Sequence, residues 1–169
     1  MIICSRCIYD ERVASISFDE NGVCNYCAMV DNLKGQYATG TPAGEAKLAE
    51  IVEQIKRDGK GKKYDCVVGV SGGTDSSYML YKAVEWGLRP LAVHYDNTWN
   101  SKIAVENINN ILKKLNVELY THVVNNEEHC DIFRSFLKAS VPDIDISTDA
   151  GLAATHFMAA QKLGIKYIF

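Results

Sequence analysis

The chain has 169 residues, of which 47% are hydrophobic and 23% are charged. These proportions are those of a globular protein, and they exclude a disordered, collagen-like or coiled-coil chain. Lys and Arg number 18 against 21 Asp and Glu, a net charge of -3, so no overall positive field attracts nucleic acid or an anionic membrane. No apolar run approaches the roughly 18 to 20 residues that span a bilayer, and the N-terminus lacks a signal-peptide pattern. We therefore predict a cytoplasmic protein without a membrane span.

The N-terminal segment, residues 1–35, is predicted to bind a metal. Four of the six cysteines lie there as two Cys-x-x-Cys pairs separated by 16 residues, at Cys4, Cys7, Cys24 and Cys27. Four thiolates at this spacing are typical of a closed, structural zinc site, and an iron-sulfur cluster is the alternative. Because the segment has little apolar periodicity with which to build a core, we predict a small zinc-binding knuckle.

Residues 36–63 are predicted as a linker and helix, and residues 64–169 as the main domain. The helix, over 45–57, carries apolar residues at helical spacing. From the β-branched run at 64–70 onward, strand and helix patterns alternate, which is typical of a parallel α/β sheet. The predicted elements are strand 64–70, helix 76–86, strand 89–95, helix 102–115, strand 117–124, helices 126–138 and 149–163, and a strand within 164–169.

The last predicted strand has no helix after it to cover the sheet. A parallel sheet is normally covered on both faces, because its strands are apolar on both sides. The sequence ends at Phe169, inside that strand. We therefore expect the C-terminal part of the domain to be missing from this sequence.

The run Ser71-Gly-Gly-Thr-Asp-Ser-Ser77 lies between the first strand and its following helix. Two glycines let backbone N–H groups approach a phosphate closely, the hydroxyls add donors, and the helix points its positive end at the anion. The run matches neither the Walker loop nor the dinucleotide-binding pattern. The alternative is an ordinary turn in which Asp75 caps the helix.

A second polar run, His94-Tyr-Asp-Asn-Thr-Trp-Asn-Ser101, follows the second strand. Asp96, Asn97 and Asn100 could hydrogen-bond a ribose or another sugar, and Trp99 offers a face for stacking. The alternative is a polar loop in which Asn100 or Ser101 caps the next helix. In the later loop over 140–149, Asp149 could bind a metal or a substrate, whereas Asp143 and Asp145 are better explained as solvated carboxylates.

Four segments together resemble the N-acetyl sugar amidotransferases of bacterial surface-polysaccharide (lipopolysaccharide O-antigen) biosynthesis. They are the paired Cys-x-x-Cys, SGGTDSS, PLAVHYDNTWNS and LKASVPDIDISTDAGLAA. That family belongs to the PP-loop ATP pyrophosphatases, and the resemblance covers essentially the whole chain. It implies an adenine nucleotide α-hydrolase-like, Rossmann-like domain beside the zinc knuckle.

The resemblance also implies roles for individual residues. The phosphates of ATP would lie on Ser71, Gly72, Gly73, Thr74, Asp75 and Ser76, with Asp75 at a Mg²⁺ ion and with Ser71, Asp75 and Ser76 as the catalytic residues. Adenine would lie against Val93, His94 and Tyr95. The substrate would contact Asp96, Asn97, Trp99, Asn100 and Asp149.

The reaction implied is an ATP-dependent amidotransfer. The acetamido oxygen of a nucleotide-activated sugar is adenylated with release of pyrophosphate, and ammonia then displaces AMP to leave an acetamidino sugar. A partner glutaminase with its synthase-like subunit would supply the ammonia. A PP-loop tRNA thiolase or other base-modifying ligase is one alternative, and a non-catalytic zinc-ribbon or nucleotide-sensing module is the other. The net charge of -3 disfavours a nucleic-acid partner.

Overall fold

The computed structural model describes residues 1–169, which form two compact units, residues 1–51 and 52–169. In the first unit, two isolated antiparallel bridges, Ile3 with Asp10 and Phe18 with Cys24, precede α1 (Asn25–Tyr37). The helix α2 (Pro42–Asp58) begins in this unit. No residue of α1 is buried, and the sequence analysis did not predict this helix because its apolar residues form no stripe that would face a core.

The second unit is a four-stranded parallel sheet with helices between its strands. After the end of α2, its elements are β1 (Cys66–Gly69), α3 (Thr74–Glu85), β2 (Pro90–Asp96), α4 (Lys102–Leu115), β3 (Leu119–Val123), α5 (Asn126–Lys138), α6 (Ile146–Leu163) and β4 (Tyr167–Ile168). The strand order is β3-β2-β1-β4, and every pairing is parallel. The predicted parallel α/β architecture is therefore confirmed.

The core lies on both faces of β1, because successive side chains of a strand point to opposite sides. Val67 packs on the α6 face with Val93 and Ala159, whereas Val68 packs on the other face with Leu80 and Ile108. Val67 and Val68 are both fully buried. Burial on both sides explains why β1 has a continuous apolar sequence instead of an alternating one.

The helix ends follow local capping chemistry. The Ser101 side chain accepts a hydrogen bond from Ala104 N at the start of α4, and Asn125 accepts two from the first turn of α5. Gly87, just after α3, has a φ of +76°, as a residue after a helix C-terminus often does. The last helix begins at Ile146, three residues before the predicted start. No helix of the chain is both long enough and apolar enough to cross a membrane.

Candidate functional site

The loop between β1 and α3 lies at the carboxyl edge of the sheet and leaves backbone donors free. Gly73 is the N-cap of α3, and no side chain caps the helix. The first N–H groups of a helix have no partner within it, so those at the start of α3 remain available to an anion. Asp75 is the second residue of α3 and not its cap, so the alternative in which it caps the helix is wrong.

Two serines hold this loop in shape. Ser76 Oγ donates to Gly73 O at 3.3 Å and accepts from Ser71 N at 3.2 Å. The hydroxyl oxygens of Ser71 and Ser76 lie 3.1 Å apart. These bonds link the two ends of the loop, so the predicted residues Ser71, Gly73 and Ser76 are brought together, with Thr74 and Asp75 exposed beside them.

Helix α4 presses against the loop at Gly72. This residue has a φ of +78°, and a Cβ on it would lie 2.2 Å from Ala104 O. Asn107 Nδ2 donates to Gly72 O at 3.0 Å. Gly72 is therefore required both by its left-handed backbone and by the close approach of α4, and Asn107 is a residue of the site that the sequence analysis did not identify.

The end of β2 is tied to β1 and to the loop that follows β2 through His94. Its Nδ1 lies 2.8 Å from Val70 O, and its Nε2 lies 3.3 Å from Asn100 Nδ2. Since a carbonyl oxygen only accepts, Nδ1 is assigned the proton and Nε2 accepts from Asn100. Asn100 also donates to Asp96 Oδ1 at 2.9 Å. His94, Asp96 and Asn100 thus form one network that shapes the edge of the sheet.

A cavity of about 660 Å³ opens at this edge, within the size range of small-molecule sites. Of the predicted residues, Ser71, Ser76, Val93, His94, Tyr95, Asn97 and Asn100 line it. The loop serines form one end, and apolar side chains from α6 and β4 form most of the remaining wall. Such a cavity suits a ligand with an anionic end and an apolar, planar end.

Three predicted substrate residues, Asp96, Trp99 and Asp149, lie outside the lining of this cavity. Trp99 packs edge-on against His129 and Phe133 of α5, with ring centroids 5.0 Å away from each. Asp149 is exposed in the first turn of α6. Their predicted role in binding the substrate stays a prediction.

Sequence reasoning placed no other residue of α6 in the site. In the structure Thr148, Leu152 and His156 line the cavity, together with their neighbours Ala153 and Phe157. The spacing of four residues puts the first three on one face of the helix. The four-residue spacing was the signal present in the sequence. Only the fold shows that this face of α6 borders the cavity.

The four N-terminal cysteines form one cluster, with all four sulfur atoms within 4.8 Å of one another. Cys4 and Cys27 are separated by 3.9 Å between sulfurs, and Cys7 and Cys24 by 3.7 Å. A tetrahedron with Zn–S bonds of about 2.3 Å has S–S edges of about 3.8 Å. The four thiols therefore fit a zinc ion, and the cluster could bind one.

Backbone donors favour the thiolate form of Cys4. Burial raises the pKa of this thiol, but the N–H groups of Arg6 and Cys24 donate to its sulfur and lower the pKa to about 6. In contrast, burial raises the pKa of Cys66, a core residue of β1, to about 12. Burial likewise raises the pKa of Cys27 to about 12, so within the cluster the backbone donors favour the thiolate at Cys4 and not at all four cysteines.

No family model matches the chain. The chain is 30% identical over 137 residues to an uncharacterized protein of Methanocaldococcus jannaschii, covering 80% of this chain and 46% of that protein. It therefore spans less than half the length of this curated relative.

Among solved structures, the chain is similar to a glutamine-dependent NAD+ synthetase from Acinetobacter baumannii. The TM-score is 0.52 at 20% identity, over 69% of this chain and 22% of that one. An NMN synthetase from Francisella tularensis gives a TM-score of 0.49 at 20% identity, over 72% of this chain and 52% of that one. The likeness to the NAD+ synthetase is one of fold, and it agrees with the predicted α/β domain built on a parallel sheet.

Proposed function

We propose that the chain binds ATP in the 660 Å³ cavity and cleaves it between the α and β phosphates. The observation that carries the proposal is the loop of residues 71–76, which offers free N–H groups and two hydroxyls at one end of a mostly apolar cavity. Pyrophosphate suits the loop, and adenine suits the apolar end beside Val93 and Tyr95. The NAD+ synthetase that shares the fold was solved with ADP, which supports a nucleotide as ligand.

Asp75 is the residue that we propose for Mg²⁺. Its carboxylate is exposed at the start of α3 and takes part in no hydrogen bond or ion pair of the protein, so its oxygens are free for a hard cation. When bound, Mg²⁺ would neutralise negative charge on the departing pyrophosphate. Ser71 and Ser76 would orient the phosphates through the loop that they hold together.

The acceptor that we propose is the acetamido group of a nucleotide-activated sugar. Its oxygen attacks the α phosphorus of ATP, the bond from that phosphorus to the bridging oxygen breaks, and pyrophosphate leaves. Ammonia then attacks the imidate carbon, AMP departs and a proton is lost, which leaves an acetamidine. Neither step requires a nucleophilic side chain, because position and charge supply the catalysis.

Asn97 and Asn100 line the cavity and would hydrogen-bond the sugar. A glutaminase with its synthase-like subunit would deliver ammonia. Zinc on the cysteine cluster would have a structural role, since four thiolates leave no open position for a substrate.

The test compares the wild-type chain with Asp75→Asn, and uses Asp131→Asn as a matched control on an exposed helix position. Each protein is incubated with α-labelled ATP, Mg²⁺, ammonium and acetamido sugar nucleotides, and the labelled products are separated. We expect AMP from the wild type and the control, and at least a hundredfold less from Asp75→Asn. Thermal melting should be nearly unchanged, because the Asp75 side chain is exposed and forms no hydrogen bond or ion pair within the protein.

Other products would contradict the proposal. Formation of ADP and phosphate would show that ATP is cleaved between the β and γ phosphates and not between the α and β phosphates. Binding of ATP with no cleavage by the wild type would favour the nucleotide-sensing module over the enzyme.

A further inference from the structure

The peptide between Gly72 and Gly73 is the part of the β1–α3 loop with the fewest steric constraints on its orientation. These two residues are the one pair of adjacent glycines in the chain, and glycine adopts positive and negative φ with little steric cost. A peptide between two glycines can therefore turn over and exchange the positions of its N–H and its C=O. The exchange matters to an anion, because an N–H group attracts a phosphate oxygen and a carbonyl oxygen repels it.

Helix α4 holds this peptide in one orientation through Asn107. Its Nδ2 donates to Gly72 O at 3.0 Å in a partly buried hydrogen bond. The C=O and the N–H of a planar trans peptide point in opposite directions, and the chain has no cis peptide bond. While Asn107 holds the carbonyl of Gly72, the N–H of Gly73 therefore points away from α4.

This N–H points to the side of the loop that faces the cavity. Gly73 N lies 3.4 Å from Ser71 Oγ, and Ser71 lines the cavity. A separation of 3.4 Å is long for a hydrogen bond from an N–H group to an oxygen, so the hydroxyl satisfies this donor only weakly. A phosphate oxygen is a stronger acceptor because it is charged, and it can take the place of the hydroxyl.

The next carbonyl of the loop is held by α3 itself. Gly73 O accepts from Ser77 N at 3.2 Å and from Ser76 Oγ at 3.3 Å. These bonds form within a few residues of one another along the chain. Gly72 O has no such partner in the loop, so its orientation depends on the side chain of Asn107 from a different helix.

We infer that Asn107 is a positioning residue, which holds the Gly72–Gly73 peptide with its N–H toward the cavity and thereby raises the affinity of the loop for the phosphates of a ligand. The inference rests on the proposed function, since it takes the pyrophosphate part of ATP as the anion. Asn107 acts through the peptide and does not itself touch the anion. Without its amide, the peptide divides its time between two orientations, and only one of them offers the anion a donor.

The experiment measures binding by calorimetry, without turnover, and separates the two ends of the nucleotide. Each protein is titrated with ATP, with inorganic pyrophosphate and with adenosine, all in the presence of Mg²⁺. The variant is Asn107→Ala, which removes the donor and suits a helix. Its matched control is Asn110→Ala, because Asn110 is exposed one turn later on α4 and its side chain makes no hydrogen bond.

We expect Asn107→Ala to bind ATP and pyrophosphate about three- to tenfold more weakly than wild type, which is the effect of one hydrogen bond on an equilibrium. Its affinity for adenosine should stay within about twofold of wild type, and Asn110→Ala should match wild type for all three ligands. Asn107→Gln keeps the amide donor on a longer side chain and should recover the affinity for pyrophosphate. A merely structural role of Asn107 would weaken adenosine as much as pyrophosphate.

Each contrary outcome has a distinct meaning. If wild type binds ATP and Asn107→Ala binds it equally well, the inference is wrong and the proposed function stands. Equal losses for adenosine and pyrophosphate, or equal losses in Asn107→Ala and Asn107→Gln, would also overturn the positioning role. If wild type binds no ATP, the proposed function itself fails.

Discussion

At the scale of single residues, Asp65 and Arg89 fasten the starts of β1 and β2 together. Asp65 is 4% exposed and accepts hydrogen bonds from Arg89 N at 2.8 Å and from Nη2 at 2.6 Å. The same guanidinium donates to Lys62 O and Gly59 O. Burial by itself would raise the pKa of Asp65, but the hydrogen bonds from Arg89 outweigh it and hold the pKa below its usual range.

We expect Asp65→Asn to lower the free energy of unfolding by about 2 kcal/mol at pH 7. The value is below that of a fully buried pair because the Arg89 side chain is half exposed. Since the pKa is lowered in the folded state, the stabilisation is present above the unfolded carboxyl pKa of about 4 and is lost as the pH falls through the folded value. Urea unfolding from pH 7 to pH 2.5 should therefore show the two proteins converging.

Asp131→Asn is the control, because this carboxylate is exposed on α5 and forms no ion pair. It should unfold like the wild type at every pH. A difference between Asp65→Asn and wild type that persisted unchanged at pH 2.5 would mean that the ionised pair is not its cause.

At the scale of elements, the contact between α4 and the β1–α3 loop sets the shape of the anion site. Gly72 and Gly73 are adjacent and look equivalent in the sequence, but the structure separates them. A Cβ on Gly72 would meet the backbone of Ala104 at a φ of +78°, whereas one on Gly73 would come no closer than 3.4 Å, to Ser71 Oγ. At Gly73 the φ is -79°, which any residue adopts.

We expect Gly72→Ala to lower the free energy of unfolding by about 3 kcal/mol or more, because the methyl group must displace a helix backbone as well as strain its own. Gly73→Ala is the matched control and should change it by about 1 kcal/mol or less. Urea denaturation of both variants decides the matter. Equal effects at the two positions would show that α4 does not press on the loop.

The cysteine cluster is the second feature at the scale of elements. Apart from its cysteines, α1 and the two bridges before it bury little apolar surface. Cys4 and Cys24 are the buried apolar residues of the first unit, and α1 has none. A segment with so small a core depends on a metal for its fold. The metal is thus expected to act as the core of residues 1–35.

We expect one zinc ion per chain, and we expect its removal to unfold residues 1–35 while leaving the sheet of residues 66–168 folded. Native mass spectrometry measures the metal content, and hydrogen exchange with and without a chelator locates the unfolding. Cys24→Ser should lose the metal, whereas Cys130→Ser, a single cysteine on α5, should keep it. A metal-free N-terminus that stays protected, or iron with sulfide in place of zinc, would contradict this.

At the scale of the whole molecule, the sequence predicted what depends on neighbours along the chain and missed what depends on tertiary contacts. The loop of residues 71–77 and the strands around it were predictable because apolar runs and glycines act locally. The contact between Asn107 and Gly72 was not, since it depends on how α4 packs against the loop. Similarly, the sequence suggested that Trp99 is free to stack on a ligand, whereas in the structure His129 and Phe133 of α5 pack against its ring.

The charge of the whole chain bears on the class of acceptor. A net charge of -3 gives no overall electrostatic attraction to tRNA, and sulfur transfer would require a further reactive thiol. Downstream of β1 the remaining thiol is Cys130, 3.7 Å from the Asn126 side chain on α5 and outside the lining of the cavity. The cavity contributes uncharged amides, from Asn97 and Asn100, that suit sugar hydroxyls.

We therefore expect acetamido sugar nucleotides with ammonium to stimulate AMP formation, and tRNA with a sulfur donor to leave it at the background rate. The assay supplies each acceptor separately with ATP and follows AMP and the mass of the product, which for amidotransfer falls by about one mass unit as oxygen is replaced by NH. The same sugars with a deacetylated amine are the control, because they lack the oxygen that attacks ATP. AMP formation that depends on tRNA and on no sugar would instead assign the chain to the thiolases.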